Sequence, residues 1–151
     1  MAYRGNFSPT ESYLKIVNIV LAHMSKLTYI INMYLNPDKK LVWLSEAIKT
    51  PPFSPEARLE AGILLRRLQK GQMLTLPSSR PMPDIGSRCH ELRINDTNFT
   101  WRIFYRIDTD AIVLLEIIIK KTPKTPLETI KLCKDRIKFY EKGIAEWKKK
   151  K

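Results

Sequence analysis

The fold is decided by residues 88–120, which read RCHELRINDTNFTWRIFYRIDTDAIVLLEIIIK. Residues 99–107 are rich in aromatic and β-branched side chains, which favour a half-buried strand. Residues 111–120 hold apolar side chains on both faces, as expected of a strand inside a sheet. A weaker alternation over residues 88–94 predicts a third strand. The intervening turns are only three or four residues long, so we expect the strands to be antiparallel.

One helix is predicted before these strands in the chain, and another is predicted after them. Ser54 and Pro55 are a hydroxyl N-cap followed by proline at the first helical position, and Gly71 ends that helix. Its apolar stripe comprises Ala57, Ala61, Ile63, Leu64, Leu65 and Leu68. Thr125 and Glu128 form a capping box for the second helix, which has apolar residues at steps of three and four. A short strand at 41–44 and a proline-stiffened loop at 72–87 complete an α+β pattern.

Charge is the main compositional signal. The chain has 151 residues, enough for one domain, with 27 Lys and Arg against 15 Asp and Glu. The net charge is +12, of which the first 38 residues carry only +1. Such a chain is attracted to nucleic acid, an anionic membrane surface or an acidic protein, unless its basic surface is merely solvated.

Other classes of site are excluded by composition. Two cysteines and two histidines are too few for a disulfide framework or a zinc site, so we expect no metal or cofactor and a cytoplasmic protein with reduced thiols. Residues 13–35 are apolar, but Lys15, His23 and Lys26 interrupt them. No apolar run approaches the roughly 20 residues that spanning a bilayer requires, so we expect no membrane association.

Basic side chains converge on the predicted strands. The period of two places Cys89, Glu91 and Arg93 on one face of their strand, opposite His90. Further basic residues precede, line or follow the strands: Arg80, Arg88, Arg102, Arg106, Lys120, Lys121 and Lys124. They form either a phosphate-binding face or ion pairs with Glu91, Asp108, Asp110 and Glu116. A lone strand histidine is more often packed than catalytic, and Cys89 is more consistent with a core residue than with a nucleophile.

Four segments together carry a resemblance to a known family. They are LPSSRPMPDIG (76–86), HELR (90–93), WRIFYR (101–106) and KKTPKTP (120–126). From about Lys40 to Tyr140 the chain resembles the HigB-like branch of the RelE/ParE toxin superfamily. The resemblance implies a small twisted antiparallel sheet with helices packed on it, in a toxin of a type II toxin–antitoxin system. It also implies metal-independent cleavage of messenger RNA in the ribosomal A site.

The resemblance further implies partners and site residues. The partners are the ribosome, messenger RNA and a HigA-like antitoxin with a helix-turn-helix domain, through which alone the toxin reaches operator DNA. Arg102 would hold the scissile phosphate with Arg93 and Lys121, and Lys120 or Lys124 would assist the leaving group. Glu91 or His90 would be the general base, and Arg80, Arg88 and Arg106 would bind further phosphates. Some relatives have a tyrosine or histidine where this chain has Pro126 or Leu127, which leaves the acid–base assignment open.

The same resemblance divides the chain. Residues 39–147 would be the toxin domain and residues 148–151 a basic tail. Residues 1–38 have no counterpart, and they would be either a helical extension or sequence upstream of an internal start at Met24 or Met33. Two other functions stay open: a ParE-like inhibitor that binds DNA gyrase without chemistry, and an inactive remnant that only binds its antitoxin.

Overall fold

The protein is described from a computed structural model, which covers residues 15, 18–24, 26–28, 37–44 and 51–151. Among the described residues from 38 onwards, five strands and two helices follow one another. In chain order they are β1 (Lys40–Trp43), α1 (Pro55–Gln69), β2 (Ser79–Pro81), β3 (Cys89–Asn95), β4 (Thr100–Ile107), β5 (Ala111–Ile119) and α2 (Leu127–Lys149).

The strands form one sheet in the order β1-β5-β4-β3-β2. Strands β3, β4 and β5 pair antiparallel, as the short turns predict, and the α+β fold is confirmed. Strand β2 also pairs antiparallel with β3. The sheet as a whole is mixed, because β1 runs parallel to β5. Short turns constrain only the strands that they join, and β1 reaches β5 from a distant part of the chain, so its direction had no local signal.

Each face of the sheet packs against one helix. Strand β5 contributes alternate residues to both cores, which explains why its sequence is apolar at every position except Glu116. Ile112 and Leu114 lie in the core under α1, whereas Val113 and Leu115 lie in the core under α2. The α1 core also contains Leu64, Leu68, Leu92, Ile94 and Ile103, and the α2 core contains Phe104 and Cys133.

The predicted ends of α1 are confirmed. The Ser54 hydroxyl accepts a hydrogen bond from the Ala57 amide at 3.1 Å, and Gly71, just beyond the helix, adopts a φ of 80° that favours glycine. The carboxylate of Asp96, in the β3–β4 turn, also holds the N-terminal end of α1 next to that turn. Asp96 Oδ2 accepts hydrogen bonds from the Ser54 amide at 3.2 Å and from the Trp101 indole Nε1 at 2.9 Å.

The predicted loop at 72–87 contains a short strand that the sequence did not indicate. Strand β2 is three residues long and occupies a sheet edge, where Pro81 is tolerated because an edge strand has one unpaired side. The buried Ser79 hydroxyl lies 2.8 Å from the Tyr105 hydroxyl of β4. Edge strands this short carry too little periodicity to be recognised in a sequence.

Three details of the predicted helices are wrong. The N-cap of α2 is Pro126, so Thr125 and Glu128 do not form a capping box. Helix α2 continues to Lys149, so the first half of the predicted basic tail, Lys148 and Lys149, is helical. Ile63 of the predicted α1 stripe is 53% exposed, because the sheet covers a narrower arc of the helix than the apolar residues span.

The described residues before position 37 belong to a separate unit that ends at Pro37. Residues 18–24 and 26–28 are helical, and their side chains are exposed. Met33, one of the two predicted internal starts, lies outside the described residues. Within the described part of the chain, no helix has both the length and the apolar character needed to cross a bilayer.

We expect Asp96→Asn to lower stability at neutral pH and to weaken its dependence on acid. Hydrogen bonds from Ser54 and Trp101 hold the pKa of Asp96 below its ordinary value of 3.8. A lowered pKa adds stability that is present above pH 3.8 and is lost as the pH falls through the folded-state pKa. Thermal unfolding of both proteins from pH 7 to pH 2 measures the effect. If the stability difference between the two proteins were the same at every pH, or were zero throughout, the result would contradict this role of Asp96.

Candidate functional site

A buried carboxylate lies at the centre of the basic face. Glu91 is in the middle of β3, and its side chain is fully buried. Its Oε2 accepts a hydrogen bond from Arg80 Nη2 at 2.8 Å, and its Oε1 accepts one from Arg93 Nε at 2.8 Å. Arg102 Nε lies 3.7 Å from the same Oε1. The three arginines and Glu91 are called the Glu91 cluster below.

Strand register brings this cluster together. Arg80 of β2 lies opposite Glu91, and Arg93 of β3 lies opposite Arg102 of β4. Residues opposite one another in a sheet share a face, and positions two apart in one strand do so too. All four side chains therefore lie on the α2 side of the sheet. Of these, the alternation in the sequence predicts that Glu91 and Arg93 share a face.

Electrostatics keep Glu91 ionised. Burial raises the pKa of Glu91, but the hydrogen bonds from Arg80 and Arg93 and the charge of Arg102 outweigh it, so the pKa is lowered overall. With one carboxylate against three guanidinium groups, the cluster retains a charge of +2. Arg80 and Arg93 are 33% and 29% exposed, so part of this charge faces solvent.

Arg102 serves a different purpose from its neighbours. Its side chain is 1% exposed, and its Nη2 donates hydrogen bonds to the carbonyls of Thr122 at 2.9 Å and Pro123 at 3.0 Å. The guanidinium thus faces the backbone that follows β5 instead of solvent. A phosphate arriving from solvent meets Arg80 and Arg93, whereas Arg102 holds the loop.

The loop that Arg102 holds carries the predicted lysines. Lys121 and Lys124 are exposed and lie next to the two carbonyls that Arg102 contacts, and Lys120 is also exposed. The Thr122 hydroxyl donates to the Lys124 carbonyl at 2.7 Å, which adds a bond within the loop. Arg102 therefore places these lysines at the end of the sheet where the Glu91 cluster lies.

Two further predicted arginines form ion pairs elsewhere on the same face. Arg106 Nη1 lies 2.6 Å from Glu141 Oε1, and its Nη2 lies 2.9 Å from Asp108 Oδ2. Arg88 Nη1 lies 3.3 Å from Asp108 Oδ1. The structure therefore does not bring Arg88 and Arg106 into the Glu91 cluster. Glu141 was not among the predicted partners, because it is 35 residues from Arg106 and no local pattern relates them.

The two residues proposed as general base lie on opposite faces of the sheet. His90 stacks on Tyr105 with ring centroids 5.5 Å apart, on the α1 side. Burial lowers the pKa of His90, so its imidazole is neutral at pH 7. Glu91 is on the α2 side, but it is buried and is the counter-ion of the arginines. Neither side chain therefore lies on the solvent side of the exposed guanidinium groups.

Both cysteines are buried in the α2 core. Burial raises the pKa of Cys89, and it raises that of Cys133 to about 12, so both remain thiols at neutral pH. This agrees with the prediction that Cys89 is a core residue. Within the described residues, no group of His, Cys, Asp and Glu is arranged to hold a metal ion.

We expect Glu91→Gln to lower the free energy of unfolding by about 3 kcal/mol, since it leaves Arg102 buried without its counter-charge. Glu141→Gln is the matched control. It also breaks an ion pair to a buried arginine, but Glu141 is 56% exposed and should cost under about 1 kcal/mol. Urea unfolding at pH 7 compares the two. Equal losses would show that Glu91 is no more important to the fold than a surface carboxylate.

Comparison with known proteins identifies the family. The family model of phage derived protein Gp49-like (DUF891) matches residues 52–138, more than half of the chain. The match includes α1, strands β2 to β5 and the entire Glu91 cluster. It also includes the loop that carries Lys120, Lys121 and Lys124, called the lysine loop. No curated protein and no solved structure gives a significant match. The chain belongs to the Gp49-like family, which is associated with toxin–antitoxin systems and is RelE/HigB-like.

Proposed function

We propose that this protein is a type II toxin that cleaves messenger RNA on the ribosome. The observation that carries the proposal is the Glu91 cluster, which holds two partly exposed arginines beside a loop of three exposed lysines. The single Glu91 carboxylate cannot neutralise all of this positive charge, so part of it is available to an anion such as a phosphate. The family and its toxin–antitoxin association support the same function.

The chemistry suits these cations. In metal-independent RNA cleavage, the 2′-oxygen attacks the adjacent phosphorus as it loses its proton. The bond from phosphorus to the 5′-oxygen breaks, and that oxygen gains a proton. The products are a 2′,3′-cyclic phosphate and a 5′-hydroxyl. Negative charge accumulates on the phosphorane between these steps, and fixed cations stabilise it more than they stabilise the starting phosphate.

Arg80 and Arg93 are the proposed phosphate-binding residues. Each has a bond to Glu91 that restricts its rotamers, so less conformational entropy is lost when a phosphate binds. Lys121 and Lys124, on the loop after β5, are proposed to contact the same phosphate. Arg102, which the resemblance assigned to direct contact with the scissile phosphate, is proposed instead as a positioning residue that acts through the backbone of that loop.

Proton transfer is not assigned to either residue that the resemblance suggested. Glu91 is ionised and surrounded by arginines, which makes it a weak base without access to a 2′-hydroxyl. His90 lies on the other face of the sheet. The contribution that we propose for the protein is therefore stabilisation of the phosphorane by positive charge, and it requires no metal or cofactor.

The proposal includes the partners that such a toxin needs. An antitoxin would bind the toxin and neutralise it, as the family association suggests. A helix-turn-helix domain on that antitoxin would carry the pair to operator DNA. Exposed lysines of α2 would add a salt-sensitive attraction to ribosomal RNA in the cytoplasm.

We expect Lys121→Ala/Lys124→Ala to reduce messenger RNA cleavage roughly 10- to 100-fold, because each substitution removes one positive charge from the phosphate site. Both side chains are exposed, so the fold should be unaffected. Cleavage is measured by primer extension on cellular messenger RNA after induced expression, together with growth.

Arg93→Lys should also reduce cleavage, since lysine keeps the charge but not the planar geometry that contacts Glu91 and a phosphate together.

The matched control is Arg58→Ala/Lys70→Ala, which removes two exposed charges near α1 on the other side of the sheet. It should cleave like the wild type at equal expression. Equal loss in both double variants would indicate a general effect of charge. Wild-type expression that inhibits DNA supercoiling without cleaving RNA would favour the gyrase function and contradict the proposal.

A further inference from the structure

A cavity of about 280 Å³ lies between the turn before β3 and the middle of α2. Its walls include the apolar side chains of Ile85, Cys89 and Ile137. Gly86 and Ser87 of the turn also line it, and charged side chains complete the lining: Arg88, Arg106, Lys134, Lys138 and Glu141. Its volume is near the lower end of the range for small-ligand pockets, which suits one compact group.

Two of the lining cations have no partner in the described part of the chain. Arg106 is paired with Asp108 and Glu141, and Arg88 lies beside Asp108. Lys134 and Lys138 are exposed and form no ion pair with any residue that the structure describes. They are four positions apart on α2, so they project from the same side of the helix. The cavity therefore has apolar walls and two free positive charges.

The cavity and the Glu91 cluster lie on the same face of the sheet. Cys89 and Arg93 are four positions apart on β3, and their cross-strand partners Arg106 and Arg102 are four apart on β4. Four positions along a strand correspond to roughly 13 Å. A short stretch of single-stranded nucleic acid can span this distance, so one strand can contact both places.

We propose that the cavity receives one unpaired nucleobase of the RNA whose phosphate is bound at Arg80 and Arg93. This inference rests on the proposed function and adds a base-binding subsite to it. Apolar walls suit the π faces of a base, and Lys134 and Lys138 suit the phosphates on either side of it. An acidic peptide fits less well, because the Glu141 carboxylate lines the cavity.

The test uses RNA hexanucleotides that each lack the base at one position but keep every phosphate. Gly86→Leu fills the cavity without changing charge. A Cβ on Gly86 would lie 3.6 Å from Cys89 Sγ, an ordinary contact. Gly143→Leu is the matched control, because Gly143 lies on α2 and a Cβ there has no atom within 4 Å. Fluorescence anisotropy at low salt gives the dissociation constants.

We expect the wild type to bind the intact hexanucleotide roughly tenfold more tightly than the one that lacks a base at one particular position. The difference should disappear in Gly86→Leu and persist in Gly143→Leu. Lys134→Ala/Lys138→Ala provides a second variant that does not alter the core. It should weaken binding and reduce its salt dependence more than Lys148→Ala/Lys149→Ala, which removes equal charge at the end of α2.

Three results would overturn the inference: no effect of base removal at any position, an effect unchanged in Gly86→Leu, or displacement of RNA by oligoglutamate that depends on Gly86 and the two lysines. Cleavage of cellular messenger RNA by the wild type is measured in parallel. Base-independent binding with cleavage intact would overturn the subsite alone. Absence of both binding and cleavage would overturn the proposed function as well.

Discussion

The structure depends on one buried carboxylate and the three guanidinium groups around it. A carboxylate removed from water is costly unless opposite charges and hydrogen bonds replace the lost hydration. Glu91 meets that requirement with arginines from three strands. The same contacts favour one register of β2, β3 and β4, because a shift by one residue would turn these charges toward the α1 core. The ion cluster is therefore a constraint on the sheet as well as the proposed phosphate site.

An excess of cations gives this arrangement its chemical character. One carboxylate is enough to make the burial of Arg102 tolerable, but it leaves Arg80 and Arg93 with unused capacity for an anion. Farther along β4 the balance differs, since Asp108 and Glu141 both face Arg106. Arg102 and Arg106, both on β4, therefore differ in how completely the neighbouring carboxylates neutralise the local positive charge. The proposed division of RNA contacts between the Glu91 cluster and the cavity follows from that difference.

Local sequence signals predicted the elements well and the long-range contacts poorly. Strands β3, β4 and β5 and the ends of α1 follow from alternation, short turns, Ser54 and Gly71, all of which act within a few residues. Strand β2 is too short for alternation to show. The N-cap of α2 is Pro126, one residue later than the Thr125 that the capping-box pattern predicts, and no side chain caps this helix.

The site shows the same limit. Alternation predicted correctly that Glu91 and Arg93 share a face, because side-chain direction in a strand is a local property. It did not indicate that Arg102 is buried beneath the chain that returns after β5, since burial depends on elements distant in sequence. For the same reason the resemblance offered Glu91 or His90 as the general base, whereas the hydrogen bond from Arg80, on a strand that was not predicted, makes Glu91 a counter-ion.

The attachment of Arg102 to two successive carbonyls has a consequence for how this surface varies. Carbonyl oxygens are present whatever the side chains are, so the position of the loop is specified independently of the residues that it displays. Substitutions at Lys120, Lys121 or Lys124 can change what the surface recognises while the backbone stays in place. The backbone thereby sets the position of each contact, whereas the side chains of the loop set its chemistry. The lysine loop is therefore the part of the site most open to change.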